Sequence, residues 1–174
     1  MKHTVIRALT VLLLIACLIP LMTACGGDFR DDLTSTTVMD TVKAAVPAEG
    51  GYEVAGNGYI NGSNWGEEYE DMLDRLTDYR ILVATDTSNN INELGILRAK
   101  STGDAKAVKS VVDDYLAATT ARQKPLLEGY NPTEIPKLEN AKVTVCGTYV
   151  FYTILDTDMT ATAHEAFENA VKAE

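Results

Sequence analysis

Apolar residues recur at helical spacing in four stretches of the chain and in extended runs in four others. Between Thr36 and Val46, Val38, Val42, Ala45 and Val46 share one helical face, and Pro47 is placed to end the helix. Residues 67–78 repeat the pattern, with Tyr69, Met72, Leu73 and Leu76 on one side and acids on the other. Residues 80–85 and 92–100 are apolar enough to predict two strands, separated by a turn-rich segment at 86–90. Ser101-Thr102-Gly103-Asp104 then has the form of a capping box, in which Ser101 accepts from exposed amides and Asp104 reaches back. The helix it opens carries a continuous stripe of Ala105, Val108, Val111, Val112, Tyr115 and Leu116.

Past Arg122 the pattern breaks. Pro125, Pro132 and Pro136 mark a connector that cannot be regular helix or central strand throughout. Residues 142–145 and 148–155 predict a hairpin turned at Cys146-Gly147. Thr157 or Asp158 opens a last helix with Ala163, Ala166, Phe167, Ala170 and Val171 on its inner face. The order strand, strand, helix thus occurs twice. It predicts an α+β fold: a four-stranded, mainly antiparallel sheet with both helices packed on one face.

The segment 47–66 fits neither period. Gly50, Gly51, Gly56, Gly58, Gly62 and Gly66 argue for loop or irregular hairpin. Tyr52, Tyr59 and the only tryptophan, Trp65, lie within it. Such aromatics either pin a loop to the domain or form a sugar- or peptide-binding surface, and these three are the candidate binding residues.

The amino terminus has a different character. Lys2, His3 and Arg7 precede a nearly uninterrupted apolar stretch at 8–24, the layout of a signal peptide. Its 17 residues, interrupted by Thr10, Pro20 and Thr23, fall short of the roughly 20 a membrane-spanning helix needs. Met22-Thr23-Ala24-Cys25 resembles a lipobox, in which small residues precede a cysteine that takes a diacylglyceryl group. Leu14-Ile15-Ala16-Cys17 is a second match, but cutting there would leave apolar residues on the mature end. The expected organisation is a lipoprotein signal peptide at 1–24, lipidation of Cys25, a flexible tether at 25–35 and one globular domain at 36–174. Two or three acyl chains hold a protein on a bilayer without spanning it. The expected location is the outer face of a cell membrane.

Charge narrows the partners. The chain carries −10, and removal of residues 1–24 takes Lys2 and Arg7 with no acid, leaving −12. A surface of that sign repels phosphodiester backbones, so no nucleic-acid partner is expected. Of three cysteines, Cys17 leaves with the signal and Cys25 goes to lipid, so Cys146 is expected to be a lone, buried strand thiol. His164 is the single histidine after the leader, and one imidazole cannot build a multi-histidine metal site. Gly-x-Ser-x-Gly, Ser-x-x-Lys, phosphate-loop and His-Glu-x-x-His motifs are all missing. Asp86, Ser88, Asn90 and Asn92 alternate oxygen ligands as a calcium loop does. Ile91 stands where that loop needs glycine, and Leu97 where it needs a bidentate glutamate, which leaves a turn. Asp156 and Asp158 suit a helix start. No metal, cofactor or catalytic residue is assigned.

A set of motifs in order carries a resemblance. Residues 93–100 (Glu-Leu-Gly-Ile-Leu-Arg-Ala-Lys) before a capped helix, then Gly129-Tyr130-Asn131-Pro132, then residues 138–143, then Gly147-Thr148-Tyr149-Val150-Phe151, resemble a family of Gram-positive, clostridial-type lipoproteins built on a domain of unknown function. The resemblance covers residues 67–173 and implies a small extracytoplasmic domain behind a lipobox; it brings no established site residues. Within it, Tyr130-Asn131-Pro132 reads as a turn, Gly147 as a hairpin residue of positive φ, and Glu93 as a solvent-facing or buried-network acid. The expected function is a non-enzymatic protein- or peptide-binding module with a partner in the cell envelope. The alternatives are a small-molecule-binding accessory of an uptake system, or an enzyme of unrecognised type using carboxylates or Tyr130.

Overall fold

A computed structural model describes residues 28–48, 50–87 and 89–173. The expected signal peptide, the lipobox-like motif and Cys25 therefore lie outside the described residues. Five strands form one open antiparallel sheet in the order β1-β2-β3-β5-β4: β1 (Tyr52–Val54), β2 (Leu76–Ala84), β3 (Glu93–Ala99), β4 (Lys142–Cys146) and β5 (Tyr149–Ile154). Among the described residues six α-helices accompany it: α1 (Ser35–Ala45), α2 (Gly62–Trp65), α3 (Tyr69–Asp74), α4 (Thr102–Tyr130), α5 (Ile135–Glu139) and α6 (Thr157–Val171). The α+β class and antiparallel pairing agree with the expectation. The strand count is five rather than four, because Tyr52–Val54, inside the glycine-rich segment, adds to the β2 edge with Tyr52 opposite Ala84.

Both faces of the sheet are covered, which corrects the expectation of helices on one face. On one side Ile81, Leu97, Val150 and Ile154 pack beneath α4. On the other, Leu82, Leu94, Ile96, Phe151 and Leu155 pack against Val38 and Val42 of α1 and Phe167 of α6. The cause is written in β5, whose Tyr-Val-Phe-Tyr-Thr-Ile is buried at every position. A strand with no polar alternation has two faces to hide, and one layer of helices covers only one.

Local chemistry fixes the ends of these elements. The Thr34 hydroxyl caps α1 by accepting from the Thr37 amide at 3.2 Å. At the start of α4 the capping box forms as expected: Ser101 Oγ accepts from the Asp104 amide at 3.0 Å and donates to the Asp104 carboxylate at 2.6 Å. Asp104 also takes Arg75 at 2.9 Å, tying α4 to the end of α3. The helix then runs through Pro125 to Tyr130, so it extends eight residues past the break expected after Arg122. Pro125 is exposed, and Leu127 beyond it is almost fully buried, so packing of the last turns holds the helix together across the missing amide. The β4–β5 turn uses Gly147 at φ +60°, with Phe29 packed where a side chain would project.

Phe29 belongs to a clasp between the two ends of the described chain. It bridges Lys172, while the Arg30 amide donates to the Val171 carbonyl at 2.9 Å and the Ala173 amide to the Asp28 carbonyl at 3.0 Å. Nearby, Arg98 donates to the Asp31 carbonyl and to Asp78. The same end of the sheet holds Cys146, which is fully buried and disulfide-bonded. That corrects the expectation of a lone thiol, which counted both other cysteines as spent.

Candidate binding pocket

At the opposite end of the sheet, four side chains from four parts of the chain are organised around one carboxyl. Glu93, the first residue of β3, is 5% exposed. Its Oε1 accepts from the hydroxyls of Tyr152 at 2.5 Å and Tyr115 at 2.9 Å, and its Oε2 from Tyr59 at 2.7 Å and Tyr115 at 3.0 Å. Trp65 stacks on Tyr115 with ring centroids 4.0 Å apart and planes within 6°, and meets Tyr152 edge-on at 5.9 Å. Each partner arrives by a different route: Tyr152 from the neighbouring strand, Tyr115 from mid-α4, Tyr59 from the glycine-rich segment and Trp65 from α2.

Gly95 makes the arrangement possible. It faces Tyr152 across the β3–β5 pair, and a Cβ on it would stand 1.9 Å from the tyrosine ring. Only a residue without a side chain lets that ring lie across the strand and carry its hydroxyl to Glu93. Burial raises the Glu93 pKa above the ordinary carboxylate range, opposed by the three tyrosine hydrogen bonds. Burial also raises Tyr59, Tyr115 and Tyr152, and the charge of Glu93 adds to it. The phenols thus stay neutral donors.

Beside this cluster lies a cavity of about 300 Å³. Glu93 and Tyr59 line it together with Asn92, Ile91 and, from the last turns of α4, Leu126 and Tyr130. Leu126 and Tyr130 are 60% and 65% exposed and form an apolar lip. The β2–β3 turn that makes the other wall is stitched to the chain following α4. The Ile91 amide donates to Glu134 at 2.9 Å, Lys137 donates to Asn90 Oδ1 at 3.1 Å and to Glu134 at 2.9 Å, and Asn131 donates to the Asn89 carbonyl at 3.2 Å. Glu134 and Lys137 are both buried, so the turn rests on a desolvated ion pair.

The residues singled out in the sequence are spread among different roles. Tyr59 lines the cavity and bonds Glu93; Trp65, 2% exposed, supports Tyr115 from behind. Tyr52 packs on the other face of the sheet, where burial pushes its pKa up to about 12 and the Asn92 side chain opposes the shift. Of the calcium-loop residues, Asn90 Oδ1 accepts from the Lys137 ammonium and the Asn92 amide. Among the described residues, no group of three or more His, Cys, Asp or Glu could hold a metal ion. Neither is any described helix long and apolar enough to cross a membrane. His164 is 2% exposed between Thr144 at 2.7 Å and Thr153 at 3.1 Å, and burial, followed by the charge of Lys142, lowers its pKa to about 3. It is a neutral packing residue against Phe151. The acid–tyrosine cluster was half visible: Glu93 opening an apolar strand raised the buried-network reading, but nothing at sequence level joined Tyr115 and Tyr152 to it.

The fold and the pocket define a small α+β domain whose doubly covered antiparallel sheet ends in a buried acid held by tyrosines. The chain belongs to the family described as Domain of unknown function (DUF4358), whose pattern matches residues 66–155. That span includes Glu93, Gly95, Tyr115, Tyr152, Leu126 and Tyr130, and leaves Tyr59 and Trp65 outside it. No curated protein and no solved structure matches the chain.

Proposed function

We propose that this protein is a non-enzymatic protein- or peptide-binding module of a Gram-positive-type cell surface, anchored on the outer face of the membrane by lipid on Cys25. The observation that carries the binding reading is the lip of the pocket. Leu126 and Tyr130 stand one helical turn apart at the mouth of the cavity and remain mostly exposed, beyond a wall of mixed polar and apolar side chains. An occupant that fills only the cavity leaves them in water, whereas a chain lying across its mouth covers them. The position of the pocket supports the anchored reading. The described chain begins beside Gly147 and Arg98, at one end of β3 and β5, and Glu93 lies at the other, roughly 17 Å away for six residues of strand. A lipid attached before residue 28 thus leaves the pocket facing away from the bilayer.

Two experiments test this. A photo-crosslinking amino acid placed at Tyr130 on intact cells is expected to yield a discrete adduct that the same probe at Lys43, on the exposed side of α1, does not. The absence of an adduct at Tyr130, or identical adducts at both positions, would refute the binding reading. Mass spectrometry of the mature protein is expected to find the acylated glyceryl thioether on Cys25. The anchored reading requires the Cys25 sulfur to be free of the Cys146 disulfide, so Cys25 recovered in a disulfide, or unmodified, would refute it.

A further inference from the structure

Glu93 is an acid buried without a counter-cation: three phenol hydroxyls are its hydrogen-bond partners, and none of the groups acting on it among the described residues is a cation. An acid buried in this way is held toward its neutral form, and a nearby positive charge is what lets it ionise, because hydroxyl donors recover only part of the desolvation cost. The acid borders the cavity, so the missing charge has a route of approach. We propose that the pocket receives an alkylammonium group, the ε-ammonium of a lysine side chain from a protein or peptide partner, which donates to Glu93. This rests on the binding function proposed above and names the chemistry that the pocket recognises.

Four features select that ligand. A carboxylate offers about four acceptor positions, and three tyrosine donors leave about one, which suits a compact ammonium better than the two-pronged guanidinium of arginine. Val83, Ala84 and Ile91 give the cavity apolar wall for a methylene stem. Tyr59 and Tyr130 put aromatic rings beside the path of the cation. The chain's net charge of −10 draws cations toward its surface. Leu126 and Tyr130 at the lip provide for the peptide flanking the lysine, which a free diamine lacks.

The single tryptophan makes the test direct, because Trp65 stacks on a tyrosine bonded to Glu93 and its emission reports on the site. The full chain in detergent micelles is titrated with three probes: a capped Ala-Lys-Ala tripeptide, its norleucine counterpart and cadaverine. The lysine tripeptide is expected to give a saturable change in emission, at least about tenfold tighter than the norleucine peptide, since a charge-assisted hydrogen bond separates them. Added salt weakens it. Glu93→Gln, with unliganded emission unchanged, is expected to lose the preference for lysine, and Tyr130→Ala to weaken the tripeptide several-fold.

Equal affinity for the norleucine peptide would overturn the cation while leaving peptide binding intact. Tighter binding of cadaverine than of the tripeptide would overturn the peptide source. A folded Glu93→Gln protein that still prefers lysine would overturn the role of the acid. If that variant does not fold, Tyr130→Ala decides, and unchanged affinity counts against the proposal, as does a flat titration. Tripeptide binding without any adduct at position 130 on cells would instead remove the wider partner reading.

Discussion

Replacing Gly95 by alanine puts the acid–tyrosine cluster to its hardest test. The new Cβ would lie 1.9 Å from Tyr152 Cε1 and 2.4 Å from Cζ. The ring has little space to retreat into, being fully buried and edged by Trp65 and Tyr115 at 5.9 and 5.8 Å. Overpacking of this kind costs about 1–3 kcal/mol. Moving the ring also lifts its hydroxyl off Glu93, and a hydrogen bond to a charged group contributes about 1.5–3 kcal/mol. Alanine reduces the freedom of the unfolded chain, which offsets about 0.4–1 kcal/mol. The net expectation is a loss of about 3 kcal/mol, a large part of the roughly 5–15 kcal/mol that holds a domain together. Urea unfolding followed by Trp65 emission and by far-ultraviolet circular dichroism measures it. The same substitution made on a Tyr152→Ala background meets no ring, so there it is expected to cost less than about 1 kcal/mol. Equal costs in the two backgrounds would refute the steric account, as would a single variant indistinguishable from wild type.

Three further outcomes follow from features elsewhere. His164 has a folded pKa near 3 against an ordinary 6.5, so its contribution is complete above pH 6.5 and is lost as pH falls toward 3. At about 1.4 kcal/mol per unit the loss is bounded at about 5 kcal/mol, and His164→Gln is expected to flatten that part of the urea midpoint's pH profile; parallel profiles for the two proteins would contradict it. Glu93 acts in the opposite sense. Its raised pKa favours folding below the unfolded value of 4.5, and that contribution disappears as pH rises through the folded pKa, so a Glu93→Gln protein is expected to lose this alkaline decline in stability. Pro125→Ala restores an amide within α4 at an exposed site and is expected to raise stability by about 1–3 kcal/mol; a lowered urea midpoint would show that the proline fits the helix better than supposed.

What the amino-acid pattern could tell depended on how local the cause was. The α4 capping box is four consecutive residues, and the Gly147 turn is one glycine between two apolar runs, so both were legible. The fifth strand was not, because Tyr-Glu-Val between glycines has no period of its own and becomes a strand by pairing with Leu82, Val83 and Ala84. The second helical layer was legible in principle from the unbroken apolarity of β5, which the β-β-α repeat obscured. Pro125 misled because a helix boundary was inferred from propensity where buried Leu127 decides it. In the pocket, Tyr59 and Trp65 stood out as aromatics on a glycine-rich background. Tyr115 looked like one more apolar stripe residue and Tyr152 like one more strand residue. Their hydroxyls converge on Glu93 only through contacts 22 and 59 residues apart in the chain.

The clasp between residues 28–30 and 171–173 has a mechanical consequence. Any pull delivered through the polypeptide ahead of Asp28 meets the backbone bonds to Val171 and Ala173 before it reaches α1 or the sheet. The first resistance to such a load is those two backbone bonds, each contributing about 0.5–1.5 kcal/mol net.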